Sequence, residues 1–206
     1  MYRVNHFMED DRDQILAFMQ AYPFAMIMGT DAGGRVVATP LPLLVHVHDD
    51  AIILRGHLMK RTDHHEAFLL NPDVLVVYNG PQAYISASWY TEPAIASTWN
   101  YMAVHARGRI QFMNDKGTID AIRELTDQYE PLSSMAGFNQ LSGAYVSQHV
   151  KAIVGFDIQI NHPEAVFKLS QNCDQKSYDN IITELHKRNI GQDKALAEEM
   201  SRRRKK

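Results

Sequence analysis

The stretch Arg55-Gly56-His57-Leu58-Met59-Lys60-Arg61-Thr62 sets two adjacent cations, a hydroxyl and a glycine where a strand gives way to a helix. A phosphate monoester asks for this set: fixed positive side chains, a hydroxyl, and N–H groups at a helix N-terminus. Gly56 would let the backbone come close to a ligand. The same residues also suit an ordinary surface loop. A second group is Tyr84-Ile85-Ser86-Ala87-Ser88-Trp89-Tyr90 with Ser97-Thr98-Trp99-Asn100-Tyr101, which holds both tryptophans of the chain. Trp and Tyr suit a place where a flat apolar ligand or a second subunit is covered while one edge stays polar. A barrel core would use them equally well.

Histidine is plentiful, yet no metal site is expected. His46 and His48 alternate onto one strand face ahead of Asp49-Asp50, but no third ligand is in view. His64 and His65 are helix neighbours and diverge. A single histidine could serve as a haem axial ligand, and no sequence feature selects one. The chain has no Gly-x-Ser-x-Gly elbow, His-Glu-x-x-His pair or Walker loop. Cys173 stands beside Asp174, which raises a thiol pKa rather than activating the thiol. No catalytic acid or base is singled out, although His57 and His105 can titrate near neutrality.

The elements that position these residues begin with a helix over residues 10–21, where Ile15, Phe18, Met19 and Tyr22 share a face before Pro23. A meander follows over residues 24–28, 35–47 and 51–58, turning at Asp31-Ala32-Gly33-Gly34 and Asp49-Asp50. Pro40 and Pro42 point the middle strand to an edge, a bulge or a bend. Thr62 should cap a short helix through Leu70. Strands are expected over 74–78, 83–86 (after Pro81), 98–113 and 152–160, with helices over 118–129 and 174–189 and an irregular stretch over 131–143. Strands so far ahead of βαβ alternation predict a mainly β, α+β fold: a small antiparallel barrel with flanking helices.

Composition is that of a globular protein, 45% hydrophobic and 22% charged, with a formal net charge of −3. No run approaches the roughly 20 apolar residues of a membrane span. The N-terminal residues lack the layout of a secretory leader, and the single cysteine suits a reducing compartment, so a cytoplasmic location is expected. The acidic balance offers no global field for nucleic acid. The exception is Ser201-Arg202-Arg203-Arg204-Lys205-Lys206, either a solvated end or a phosphate contact through which DNA could be held.

Several separated stretches, in order, resemble the PaiB family: Ala38-Thr39-Pro40-Leu41-Pro42, Gly56-His57-Leu58, the run from Gly80 to Tyr90, Thr98-Trp99-Asn100-Tyr101 with Val104-His105, and Phe167-Lys168-Leu169-Ser170-Gln171-Asn172. Gln82 and Ala87 depart from the family's usual histidine and proline. The resemblance implies a split β-barrel of the FMN-binding type over residues 1–165, with a helical extension and basic tail over 166–206. It also implies a homodimer with FMN held between subunits. Thr39, Pro40, Leu41, Arg55, Gly56, His57 and Leu58 would lie along the flavin, Lys60, Arg61 and Thr62 would hold its phosphate, and Trp89, Trp99, Asn100 and Tyr101 would close the site. The implied activity is that of an FMN-dependent oxidoreductase. A negative transcriptional regulator binding DNA, or a haem-binding or haem-degrading relative on the same barrel, are the alternatives.

Overall fold

The computed structural model describes residues 1, 4–92, 95–131 and 133–203. In chain order the elements are β1 (Met8–Glu9), α1 (Arg12–Ala21), β2 (Phe24–Thr30), β3 (Val36–Pro42), β4 (Leu44–His48), β5 (Ala51–Met59), α2 (Asp63–Leu70), β6 (Asp73–Ile85) and β7 (Thr98–Phe112). They continue with α3 (Asp115–Tyr129), α4 (Gly143–His149), β8 (Ile153–Lys168), α5 (Gln175–Arg188) and α6 (Asp193–Arg202). The strands form one sheet in the order β3-β2-β6-β7-β8-β5-β4, with β1 paired to β8. A mainly β chain with flanking helices is thus observed as expected.

Several boundaries differ from the expectation, each for a physical reason. The stretch read as one strand over 35–47 is two, because the chain leaves the ladder at Leu43, whose N–H bonds the Pro23 carbonyl at 2.9 Å. Its proline-bearing half, β3, lies at the end of the sheet order, where a missing N–H does least harm. Pro81 does not divide a strand: β6 runs through it, and the ladder to β2 ends at Val77. β7 is likewise unbroken at Gly108. A side chain there would begin 2.3 Å from the Gln159 carbonyl of β8, so glycine permits close strand approach rather than a break. β8 extends to Lys168, well past residue 160. Helix α4 falls just past the stretch expected to be irregular, and α6 is a second helix within the expected helical extension.

The chain divides into two compact units, each assembled from separated segments. The larger comprises residues 19–78 and 105–163. Its strands bury alternate side chains, among them Ile27, Leu54, Val76, Phe156 and Ile158, and Phe68 of α2 joins this core. The smaller comprises residues 1–18, 79–104 and 164–206. There α5 and α6 bury Tyr178, Ile181 and Leu185 together with Leu196, Ala197 and Met200. Asp193 accepts two 2.6 Å hydrogen bonds from the Arg188 guanidinium and a third from the Ile190 N–H, which pins the turn joining these helices. The α5 helix ends on Asn189 in the left-handed region (φ 47°).

Candidate functional site

β5 alternates strictly. Ile52, Leu54, Gly56 and Leu58 face the core of the larger unit, while Arg55 and His57 take the other face. The strand ends at Met59, and Lys60 and Arg61 turn the chain into α2. Arg61 sits in the left-handed region (φ 64°), a conformation costing a non-glycine residue about 1 kcal/mol or more. The Thr62 hydroxyl donates to the Met59 carbonyl (3.0 Å) and accepts from the His65 N–H (3.3 Å), so the predicted cap is in place. The Lys60 ammonium lies 3.5 Å from exposed Asp115. Arg61 is exposed, and its guanidinium makes no ion pair among the described residues.

The loop's open amide donors are fewer than the sequence suggests. The Lys60 N–H bonds the Ala152 carbonyl, the Arg61 N–H bonds His65 Nδ1, and the His64 N–H bonds the Asp63 carboxylate. The donors this loop leaves for an outside acceptor are mainly the Lys60 and Arg61 side chains. Gly56 also has a structural reason of its own. A Cβ would stand 2.9 Å from both Leu43 Cδ2 and Phe156 Cζ and 3.3 Å from Leu41 Cδ1, so the core demands glycine there.

Arg55 is committed. It faces Asp157 across the β5–β8 ladder and makes two 2.9 Å bonds to that carboxylate, with a third at 3.1 Å to Glu124 of α3. These carboxylates hold the guanidinium pKa above its ordinary value, the Asp157 hydrogen bonds more than offsetting burial. His46 Nε2 approaches the other Glu124 oxygen at 3.0 Å. That contact is an ion-pair distance without hydrogen-bond alignment, since the buried nitrogen has no hydrogen-bond partner. Sequence reading missed Asp157 and Glu124 because strand pairing and helix docking, not spacing, bring them to Arg55. His57 is half-buried, and burial lowers its pKa, so it is neutral at pH 7. Thr39, Pro40 and Leu41 lie on β3, Leu41 inward and Pro40 outward.

The aromatic group belongs to the smaller unit. Trp89 is covered by the Arg188 guanidinium, 4.8 Å from its ring centroid. Trp99 is 56% exposed and meets Tyr84 edge-on at 6.1 Å. Asn100 is fully buried and exchanges hydrogen bonds with the Ser170 hydroxyl at 2.9 and 3.2 Å, so its amide braces the fold. Tyr101 is half-buried. Burial, with Asp174 adding to it, pushes the Cys173 thiol up to about 11, in keeping with the inert cysteine expected. Arg202 pairs with Glu199 at 2.6 Å and Arg203 with Glu9 at 3.1 Å. Those two tail cations are therefore engaged, and Arg204, Lys205 and Lys206 lie outside the described residues.

A groove of about 800 Å³ lies in the larger unit along β2, β6, β7 and β8, including Arg107 and Arg109. It contains none of the sequence-predicted residues. Size alone therefore does not mark the site, and the loop's chemistry is the better guide. No group of three or more potential metal ligands occurs among the described residues. No described helix is long and apolar enough to cross a membrane.

Residues 1–162 match a family model described as "Putative FMN-binding domain". The chain is also 32% identical over 207 residues, spanning 100% of its own length and 99% of the relative's, to protease synthase and sporulation protein PAI 2 of Bacillus subtilis. The chain belongs to the PaiB family. Among solved structures, the flavocytochrome Anf3 of Azotobacter vinelandii is similar with a TM-score of 0.61 and 15% identity, covering 87% of this chain and 78% of that one. The FAD and heme binding protein of Mycobacterium smegmatis is similar with a TM-score of 0.58 and 13% identity, covering 84% and 78%. The fold of this PaiB-family member is accordingly the split β-barrel.

Proposed function

We propose that this PaiB-family chain binds FMN as a cytoplasmic homodimer and serves as a flavin-dependent oxidoreductase. Membership of a family whose model is described as FMN-binding, across residues 1–162, is the observation that carries the reading. The loop after β5 fits the cofactor's phosphate. Arg61 offers a cation with no competing ion pair among the described residues and Lys60 has only an exposed partner, while the Thr62 hydroxyl, its proton already donated to the Met59 carbonyl, holds the loop's shape rather than donating to the phosphate. A single phosphate monoester suits two adjacent cations better than the pyrophosphate of FAD. Bound flavin would supply the electron-transfer chemistry, and the protein would bind and orient it. His57 would present a neutral imidazole beside it, able to donate or accept one hydrogen bond. Arg55 is left out of the phosphate set because two carboxylates already hold it. Exposed Trp99 supports the dimer, since a second copy would cover it.

The test is the visible spectrum of the purified protein titrated with FMN, repeated on Lys60→Ala/Arg61→Ala. Flavin bands that shift on saturation, with affinity reduced by about tenfold to a hundredfold in the double variant, are expected. Failure of the wild-type protein to bind FMN would remove the proposal, and a Soret band in its place would assign the site to haem. Sedimentation equilibrium at twice the chain mass is expected for the dimer, and a monomer mass would overturn that part.

A further inference from the structure

The smaller unit contains a cavity of about 460 Å³ that shares only Asn100 with the residues expected around the flavin and none of the phosphate loop. Its polar lining comes from His6, from Thr98 and Asn100 of β7, from Lys168 at the end of β8, and from Ser170 and Asn172 just beyond, while Phe7, Tyr90 and Ile95 contribute apolar wall. Lys168 is the unusual member. Its ammonium donates to the Thr98 hydroxyl and, at 2.9 Å, to the Trp99 carbonyl, and it stands 5.8 Å from the Phe7 ring centroid. All these partners are neutral. No carboxylate lies within ion-pair distance of Lys168 among the described residues, although the other partly covered cations described, Arg55, Lys60, Arg188 and Arg203, each have one.

An ammonium carries three N–H donors, and two are occupied here. A half-buried cation with neutral partners is held at a cost that a counter-ion would relieve. Burial accordingly lowers the Lys168 pKa. The surrounding polar groups are rigidly set. Ser170 is 3% exposed, adopts φ 61° although it is not glycine, and is locked to Asn100, which is fully buried. Strain of this kind persists only where the surroundings over-determine it.

We propose that this cavity is a binding site for a small organic oxyanion, a carboxylate or phosphate monoester on an apolar body, with Lys168 as its counter-ion. The third N–H of Lys168 meets the anionic oxygen, and Phe7, Tyr90 and Ile95 cover the apolar part. A cavity of this size is within the range of small-molecule sites. The inference does not depend on the flavin reading, since it uses none of Lys60, Arg61 or Thr62.

The experiment is calorimetric titration of the full-length protein at pH 7 with benzoate and with phenyl phosphate, in the presence and absence of FMN. At least one probe is expected to bind saturably, and the tighter one tells a carboxylate site from a phosphate site. Lys168→Met should weaken it by about tenfold or more, the loss of one charge-assisted hydrogen bond. The same probe should protect Lys168 from reductive methylation in the wild-type protein, read by peptide mass spectrometry, which keeps the test sound even if the variant misfolds. Binding that is absent for both probes, unchanged in Lys168→Met, mutually exclusive with FMN, or without protection of Lys168 would overturn the assignment.

Discussion

Replacing Gly56 by alanine separates two roles that the Gly56-His57-Leu58 segment could combine. The new methyl would stand 2.9 Å from Leu43 Cδ2 and Phe156 Cζ, against about 3.5–4.0 Å for relaxed carbon contacts. Both neighbours would have to retreat by about 0.6–1 Å. They have nowhere to go, since Leu43 is 1% exposed and Phe156 fully buried. Overpacking of this kind costs about 1–3 kcal/mol. About 2 kcal/mol would lower the melting temperature of a chain this size by about 4–8 °C. The assay is urea denaturation of flavin-free protein, with the slope checked for constancy so that the midpoint reports stability alone. Omitting FMN removes the linkage between ligand and stability. A variant as stable as wild type that has lost FMN affinity would refute the reasoning, and would mean that the glycine serves ligand approach and not core packing.

Arg55→Met should cost about 1–2 kcal/mol, because it strands Asp157 and Glu124 in a partly covered cluster, yet leave FMN affinity within about twofold of wild type. A tenfold loss in the same spectroscopic titration would put Arg55 back among the cofactor ligands. Tyr78→Phe should stabilise by about 1 kcal/mol, since the Tyr78 hydroxyl is buried without a hydrogen-bond partner and burial raises its pKa; a lower urea midpoint would show that the hydroxyl is satisfied in solution. Stability should also fall on acidification. Burial depresses the folded-state pKa of His57 and, against the opposing pull of the Glu66 carboxylate, that of His65. The unfolded chain therefore takes up protons first, and the loss begins as pH drops through the ordinary histidine value of about 6.5, levelling off below the folded-state values. His57→Leu should flatten part of that slope in melts between pH 7 and 5, and an unchanged slope would exclude His57 as its source.

What the sequence alone determined is local. The Thr62 cap is decided within three residues by a hydroxyl reaching the His65 N–H. The alternation that sends Arg55 and His57 to one face of β5 follows from the two-residue repeat of any strand. The Tyr178, Ile181 and Leu185 stripe marks α5 because helical periodicity sets the buried face. Ordered motifs along the chain also marked the family, since several short matches in sequence constrain more than any one does.

Tertiary structure decided what those residues do. Arg55 reads as a ligand cation until strand pairing sets Asp157, 102 residues later, directly opposite it. Asn100 reads as a site residue until Ser170, 70 residues away, closes on its amide. Pro81 reads as a break because a missing N–H matters only where a ladder needs it, and the ladder to β2 has already ended. Helix α6 hid within a charged stretch whose buried Leu196, Ala197 and Met200 have a partner surface only once α5 is in place. In each case the deciding interaction joins groups far apart in the chain, and its strength depends on burial and on the charge of the partner, neither of which is a property of local sequence.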